Sequence, residues 1–291
     1  MDVATFLAQL LNGVGNGMVY FLIAVGLTVI FGIMDFVNFA HGAFYLFGAY
    51  FVFAGLQWVS SFWLALVLAP LIVGLAAFAL ERLVLQHAYG LEHTYQIILT
   101  LGVSLIATEA VIILWGASPQ NVPVPDLLSG RLDLGVIEYP NYRIFVIVLA
   151  AILAFLIWYG LERTKIGAIV RAGTESLDVV SSLGINIKRV FALTFAVGGA
   201  LAALGGALAA PMQGINPFIG DSVLGLAFVV VVVGGMGSFS GALFGALLIG
   251  IVQSLTVMVW PVGGSVVIYM LMAVVLLGRQ AGLLGRRTSA A

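Results

Sequence analysis

The run from Ser222 to Gly278 contains no Asp, Glu, Lys or Arg in 57 consecutive residues. Soluble domains average about 25% charged residues, so an uncharged run of this length does not suit a water-soluble fold. A helix needs about 20 apolar residues to cross the hydrocarbon core of a bilayer. The run is therefore long enough for three crossings. The whole chain agrees, because 63% of its residues are hydrophobic and only 8% are charged.

The other apolar runs predict about six more crossings, since one of them is long enough for two helices that turn near residues 58–61. We therefore predict one all-α, polytopic membrane domain over residues 1–291, with about eight to nine transmembrane segments and interrupted helices. The number is open because residues 222–235 are short enough only to dip into the membrane. The runs are Val3–Met34, Phe36–Leu80, Thr94–Trp115, Tyr142–Tyr159 and Val190–Ala210.

Orientation is predicted from the basic residues, because cytoplasmic loops are enriched in Lys and Arg. Residues 162–189 hold five of the 11 basic residues, and the tail 279–291 holds three more. Placing both segments inside puts Arg82 inside as well and leaves only Arg131 and Arg143 outside. We therefore expect the N-terminus and the loop 116–141 outside, and the C-terminus in the cytoplasm.

Several classes of function are excluded by what the chain lacks. Its 11 basic residues are scattered between apolar runs, whereas nucleic-acid binding needs a concentrated basic face. There is no cysteine, and the three histidines lack the spacing of a metal site, so neither thiol chemistry nor a metal centre is expected. No nucleophile and base pair suggests an enzyme, and neither lysine lies in a glycine-rich phosphate loop that would bind ATP.

Polar residues inside apolar runs are the candidates for a path through the membrane, because burying them there costs free energy. Asn38, His41 and Gly42 lie in a polar turn after the first run. They either cap the next helix and satisfy a backbone carbonyl at the turn, or line the path. Glu109 lies among apolar residues and is interpreted as a proton carrier, a substrate contact or a structural group. Gln253 is a weaker candidate of the same kind.

An internal echo adds Gly235 to these candidates. The pairs Gly26-Leu27 and Gly42-Ala43 recur at a constant offset as Gly225-Leu226 and Gly241-Ala242. Both copies contain an apolar run broken by a short turn, and transporters often place interrupted helices at corresponding positions of two halves. Chance similarity between glycine-rich segments also explains four identities.

The basic segment 162–189 contains a helix pattern too short to cross a bilayer. Thr174 is predicted to cap it, with Glu175 and Asp178 in its first turn and Gly184 ending it. Apolar residues recur every three positions, which gives a helix of about nine residues with one apolar face. Such a helix either packs on its own bundle, lies along the membrane surface or fits the groove of another protein.

Two sets of residues carry a resemblance to a known family. The acidic-to-glycine spacing of Asp178–Gly184 resembles the Glu-Ala-Ala-x-x-x-Gly loop of ATP-binding-cassette (ABC) importer permeases, although Asp-Val-Val replaces Glu-Ala-Ala. Further blocks resemble the branched-chain amino acid permease family of the LivH type. These blocks are Asn38–Gly42, Gly48–Tyr50, Gly184–Asn186, Leu193–Ala196, Leu201–Gly206, Gly234–Ser238 and Gly241-Ala242.

The resemblance implies a transport subunit of a bacterial inner membrane that works by alternating access and has no cofactor of its own. ATP would be bound by two separate ABC ATPase subunits, docked on Glu175, Asp178, Val179, Val180, Ser182 and Gly184. The expected partners also include a LivM-like second permease or a second copy of this chain, an extracytoplasmic substrate-binding protein and membrane lipid.

Branched-chain or related hydrophobic amino acids are the implied substrates, but urea and amide carriers belong to the same family. An ATP-independent secondary transporter or channel is the other alternative, and it would use Glu109 or Asp35 for coupling to an ion.

Overall fold

The structure is a computed structural model and describes residues 3–285. It is a bundle of α-helices, as predicted, with one small β-hairpin that was not predicted. The helices are α1 (Val3–Met34), α2 (His41–Val59), α3 (Phe62–Leu83), α4 (His93–Trp115), α5 (Asn141–Arg163), α6 (Lys165–Glu175), α7 (Leu177–Ser182), α8 (Ile187–Gln213), α9 (Ile219–Gly234), α10 (Phe239–Val259) and α11 (Gly263–Gly278). The strands are β1 (Arg131–Asp133) and β2 (Glu138–Pro140).

The number of membrane segments matches the prediction. Seven helices, namely α1 to α5, α8 and α10, are long and apolar enough to cross a membrane. The two shorter apolar helices, α9 and α11, complete the three segments expected after residue 222. The turn predicted near residues 58–61 is also present, because Ser60 adopts φ 53° and the hydroxyl of Ser61 accepts a hydrogen bond from the Leu64 N–H. The prediction of a polytopic helical bundle is therefore confirmed.

Glycines allow the long helix α1 to pack closely against its neighbours. A Cβ atom on Gly13 would lie 2.6 Å from Cα of Ile251 in α10, and one on Gly26 would lie 2.6 Å from the carbonyl oxygen of Gly198 in α8. Close backbone approach is the usual reason for small residues in membrane helices. These glycines thus hold this chain's own helices together.

The helices differ in how much of their surface the bundle covers. Most of α1 is buried, together with a layer of large aromatic side chains. By contrast, α4 and α5 lie at the periphery and leave most of their apolar surface exposed. In a membrane protein, such a surface is available to lipid or to another membrane subunit. The fully buried aromatic residues include Phe21, Phe36, Tyr45, Tyr50 and Phe195.

The bundle has two chemically different ends. We call the end with α6 and α7 the basic end, because five basic residues lie between positions 162 and 189. The opposite loop end carries the hairpin of β1 and β2, and residue Gln120 there pairs with Ile215 through two backbone hydrogen bonds. The predicted tail bases Arg286 and Arg287 lie outside the described residues.

The two predicted interruptions occur where the internal echo placed them. Residues 35–40 separate α1 from α2, and residues 235–238 separate α9 from α10. The second break is covered by the C-terminal segment, since the N–H groups of Leu283 and Leu284 donate to the carbonyls of Val233 and Gly234. The breaks are therefore built differently, although they follow the same sequence pattern.

Candidate functional site

The break after α1 returns the chain to the interior of the bundle. Asp35 adopts φ 45°, which ends the helix, and the following segment leads to the fully buried Asn38. The Asn38 Oδ1 accepts a 3.0 Å hydrogen bond from the N–H of Ala40, whereas its Nδ2 has no hydrogen-bond partner. The N-cap of α2 is Ala40, so the interpretation of Asn38 as the helix cap is wrong. Asn38 instead shapes the turn that leads into α2.

The start of α2 is anchored deep inside the bundle. His41 is fully buried, and its Nε2 lies 3.0 Å from the carbonyl oxygen of Ile23, eleven residues before the end of α1. Since a carbonyl only accepts, Nε2 must carry a proton and donate. This carbonyl belongs to α1 rather than to the turn, where the sequence had suggested it. On the other side, Gly42 packs against Gly220 of α9 so closely that a Cβ atom on Gly42 would clash with the Gly220 carbonyl oxygen.

A stripe of buried polar side chains on α4 faces this junction. The stripe consists of residues at every fourth position, which lie on one face of a helix. Thr100 accepts a 3.1 Å hydrogen bond at Oγ1 from the N–H of Phe39 in the break, and Ser104 lies 3.5 Å from Oδ1 of Asp221 in α9. The four members are Gln96, Thr100, Ser104 and Thr108, and all are buried.

Asp221 is a functional candidate that the sequence reasoning missed, although it is the one charged residue between Arg189 and Arg279. It lies in the first turn of α9, where the helix dipole favours a negative charge, and its side chain is exposed in the single chain. Phe39 also reaches α9, since its ring lies 5.3 Å from that of Phe228. We call Asn38, His41, Thr100, Ser104 and Asp221 the central polar cluster.

The buried polar stripe of α4 could have been predicted from the sequence. Polar residues repeated every four positions in an apolar helix mark a polar face, and this spacing is the signal that predicts the stripe. Glu109 itself is exposed and lies on the side of α4 opposite the buried stripe. It therefore does not join the central polar cluster in this chain.

Two other predicted path residues lie elsewhere. Gly235 ends α9 with φ 108°, and a Cβ atom there would clash with the backbone of Gly285 in the C-terminal segment. Gln253 Oε1 accepts a 2.8 Å hydrogen bond from the hydroxyl of Tyr20, which joins α10 to α1. Within residues 3–285, neither residue shares a hydrogen bond with the central polar cluster.

The segment at the basic end forms two helices where the sequence predicted one. Glu175 is the last residue of α6, and Ser176 then caps the six-residue helix α7, its Oγ accepting from the N–H of Val179. The hydroxyl of Thr174 donates to the carbonyl of Arg171 instead of capping a helix. The predicted start and length of the short helix are therefore wrong, because Ser176 competes successfully for the capping position.

The end of α7 agrees with the sequence. Gly184 adopts φ 79°, a left-handed conformation that favours glycine, and its N–H donates to the carbonyl of Ser181. A Cβ atom on Gly184 would meet no atom within 4 Å. The turn after α7 is thus open on the side where the Gly184 side chain would be.

The apolar residues of α7 are divided between the bundle and the outside. Val180 is only 1% exposed, whereas Val179 and Leu183 are 59% and 72% exposed. Ser182 is also exposed at this end, and the Asp178 side chain lies outside the described part of the structure. One valine therefore anchors α7, while two large apolar side chains extend from a basic, polar end of the molecule.

The described residues contain no group of three His, Asp or Glu side chains arranged to hold a metal ion. What the site offers is a buried polar junction between helix ends and, at the basic end, an exposed apolar surface on a short helix. The first suits a path for a small polar solute, and the second suits contact with another protein.

Comparison with known proteins indicates a transport protein. The chain matches, over residues 9–276, the family described as branched-chain amino acid transport system / permease component. No solved structure matches it. It is 34% identical to the high-affinity branched-chain amino acid transport system permease protein BraD of Pseudomonas aeruginosa, over 98% of this chain and 97% of BraD.

Two further relatives bear related names. The chain is 34% identical to the permease protein LivH of Escherichia coli K12, over 97% of this chain and 96% of LivH. It is 29% identical to the permease protein LivM of Salmonella typhimurium, over 82% of this chain and 61% of LivM. The family model and these relatives cover nearly every helix described above. The chain therefore belongs to the branched-chain amino acid transport system permease family.

Proposed function

We propose that this protein is a permease subunit of an ABC importer that carries branched-chain or related hydrophobic amino acids across the bacterial inner membrane. The observation that carries the proposal is the short helix α7, with Val179 and Leu183 exposed and Val180 buried against the bundle. Large apolar side chains at a polar end of a membrane protein are the usual mark of a protein contact. The substrate class is that named for the relatives BraD and LivH.

The partners follow from this surface and from the family. Two ABC ATPase subunits bind ATP and dock on α7 and the adjoining turn at Gly184. A second permease completes the membrane part, and the similarity to LivM favours a LivM-like subunit over a second copy of this chain. An external substrate-binding protein delivers the amino acid. Because the ATPase subunits bind the ATP, this chain itself is not an enzyme and holds no cofactor.

The orientation follows from the positive-inside rule. The basic end lies in the cytoplasm, where the ATPase subunits are, and the C-terminal tail is on the same side. The N-terminus and the loop 116–141 lie outside. Arg131 and Glu138 there form an exposed ion pair of 3.8 Å within the hairpin, a surface available to the binding protein.

The central polar cluster provides the path. Helix α2 begins beside Ile23 of α1, and its start is packed on the start of α9 through Gly42 and Gly220. Movement of α7 is transmitted to α8, which directly follows it in the chain and packs on both α1 and α2. Closure of the ATPases would then switch which end of the junction is open, in an alternating-access cycle.

The alternatives make different use of the same residues. A urea or amide permease would share the whole mechanism and differ only in substrate. A secondary transporter would need a coupling carboxylate on the path, but Glu109 is exposed on the outer side of α4, and Asp35 is exposed, 4.0 Å from His93, at the basic end. Neither position favours ion coupling through Glu109 or Asp35. Coupling through Asp221, the carboxylate of the central polar cluster, is distinguished by whether uptake requires ATP.

The test is uptake of radiolabelled leucine by proteoliposomes that contain this chain, its permease partner and both ATPase subunits. We expect uptake that requires ATP and the binding protein, and that an excess of isoleucine or valine inhibits. Uptake of urea but not of leucine would replace the substrate class. Leucine uptake by the chain without ATPase subunits, driven by an ion gradient, would overturn the proposal.

A further inference from the structure

A small cavity lies between α1, α5 and α8 at the loop end of the bundle. Its volume is about 160 Å³, the space of about five water molecules, so it fits only a small solute. Polar residues line one side, namely Asn16, Tyr20, Arg143 and Gln213, and apolar residues such as Val19 and Met212 line the other. The cavity contains none of the central polar cluster.

Arg143 is the charged member of this lining and has no ionic partner in the part of the chain that the structure describes. It is the third residue of α5 and is half-buried, and its Nη1 donates a 2.8 Å hydrogen bond to Oδ1 of Asn12. Among residues 3–285, no carboxylate lies within 4.0 Å of its guanidinium. A guanidinium has five donors and matches a carboxylate with two parallel hydrogen bonds. An anion is therefore the ligand that this arginine lacks.

The other polar residues supply acceptors. The Tyr20 hydroxyl donates to Gln253, and Nε2 of Gln213 donates 3.0 Å to the hydroxyl of Tyr45. These bonds use the Tyr20 hydroxyl proton and one of the two amide protons of Gln213, and they leave Oε1 of Gln213 and the Tyr20 oxygen as acceptors. The Asn16 side chain makes no hydrogen bond to any other described residue and offers its own Oδ1. An ammonium group is the ligand that such acceptors suit.

We propose that this cavity is an entry subsite for a free α-amino acid with an apolar side chain. Arg143 binds the carboxylate, Asn16 and Gln213 accept hydrogen bonds from the ammonium group, and Met212 contacts the side chain. The subsite rests on the proposed function and deepens it, because it receives the amino acid on the side that the binding protein faces, before the central polar cluster.

A protection experiment measures occupancy without transport. The chain contains no cysteine, so Met212→Cys introduces the only thiol in this subunit. The complete complex, in vesicles of zwitterionic lipid without ATP, is labelled with a small thiol reagent, and the modified subunit is identified by mass. The probe is leucine, compared with 3-methylbutylamine, which lacks the carboxylate. Leu127→Cys in the exposed loop is the control that no ligand should protect.

We expect leucine to slow labelling of Met212→Cys at least about threefold and the amine to have no effect. Protection should disappear when Arg143→Gln is added. Protection by both compounds, or protection that persists with Arg143→Gln, would overturn the carboxylate assignment. The labelling is repeated in vesicles that contain anionic lipid. Labelling that responds to anionic lipid but not to leucine would show a lipid headgroup in the cavity and would also overturn the carboxylate assignment.

Kinetics separate binding from a structural role of Arg143. In leucine uptake, Arg143→Gln should raise KM about tenfold, which equals about 1.4 kcal/mol, with maximal rate little changed. Asn12→Ala, which removes the hydrogen bond to Arg143 outside the cavity, should leave KM within about twofold. An equal effect of both variants would overturn the subsite. Protection without any ATP-driven uptake by the wild type would instead refute the proposed function and leave the subsite standing.

Discussion

The hydroxyl of Tyr89 donates a 2.6 Å hydrogen bond to Oε1 of Glu81, a carboxylate that has no exposed surface. The Tyr89 ring packs edge-on against Phe36, 5.6 Å between ring centroids, and against Phe191, at 5.2 Å. Phe36 lies in the break after α1, and Phe191 lies near the start of α8. A single side chain thus connects α3, the break and the helix that follows α7.

Replacing Tyr89 tests this connection. Tyr89→Phe keeps the ring contacts but removes the one hydrogen-bond donor to Glu81 among residues 3–285. The Glu81 Oε2 accepts no hydrogen bond from these residues and lies 3.9 Å from Nε of Arg82. A buried polar group without its partner costs about 1 to 3 kcal/mol, so the variant should unfold at a lower temperature in detergent. Tyr159→Phe, at an exposed position of α5, is the control and should have the wild-type Tm. Equal Tm values for all three proteins would contradict the connection.

Stability should also fall at alkaline pH through Tyr89. Burial, with the hydrogen bond to Glu81 second, raises the pKa of Tyr89 above its usual value. A raised pKa in the folded state gives stability that is fully present below the unfolded value, about 10, and is lost as the pH rises above it. Between about pH 9 and about pH 11, Tm should therefore fall more steeply for the wild type than for Tyr89→Phe. Parallel curves would show that Tyr89 does not titrate in this way.

Close helix packing predicts a large difference between two glycines. A Cβ atom on Gly17 would lie 2.9 Å from the carbonyl oxygen of Ala246, whereas one on Gly102 of α4 would meet nothing within 4 Å. Overpacking a filled interior typically costs about 1 to 3 kcal/mol. Gly17→Leu should therefore lower Tm strongly and Gly102→Leu should not. Similar Tm values for the two variants would mean that α1 and α10 are not in close contact.

The central polar cluster and Glu109 predict opposite outcomes in leucine uptake. Asp221→Asn removes the charge at the junction of α4 and α9. Leucine uptake by the reconstituted complex should therefore fall at least about tenfold, and a tenfold loss equals about 1.4 kcal/mol. Glu109→Gln, on the outer side of α4, should retain uptake. The reverse pattern is what a secondary transporter coupled through Glu109 predicts, and it would contradict the path proposed here.

The helices could be predicted from the sequence because a bilayer permits few backbone structures. Each apolar run must satisfy its backbone internally, and the helix is the only such solution for a single segment. The turn at Ser60, the break after Met34 and the stop at Gly184 were predicted for local reasons of the same kind. The predicted start of the short helix was wrong, because Thr174 and Ser176 are both good caps and only tertiary packing decides between them.

Contacts between distant segments were beyond the sequence reasoning. Nothing local indicates that Gly42 packs on Gly220, or that His41 bonds to the middle of α1 rather than to its own turn. The same holds for Glu109, since a carboxylate in an apolar run has the same pattern whether it faces the bundle or its surroundings. Direction around a helix depends on which neighbours pack against it, and that is a property of the whole bundle.

Copurification measures whether α7 and its turn bind the ATPase subunits. Gly184 and Gly135 form a matched pair: they adopt φ 79° and 80°, and a side chain at either would meet nothing within 4 Å of its Cβ. Gly135 lies at the loop end, so Gly135→Trp controls for the strain of a large residue in this conformation. The tagged chain should recover both ATPase subunits as wild type and as Gly135→Trp, and lose them as Gly184→Trp. Full recovery with Gly184→Trp would contradict docking at this surface.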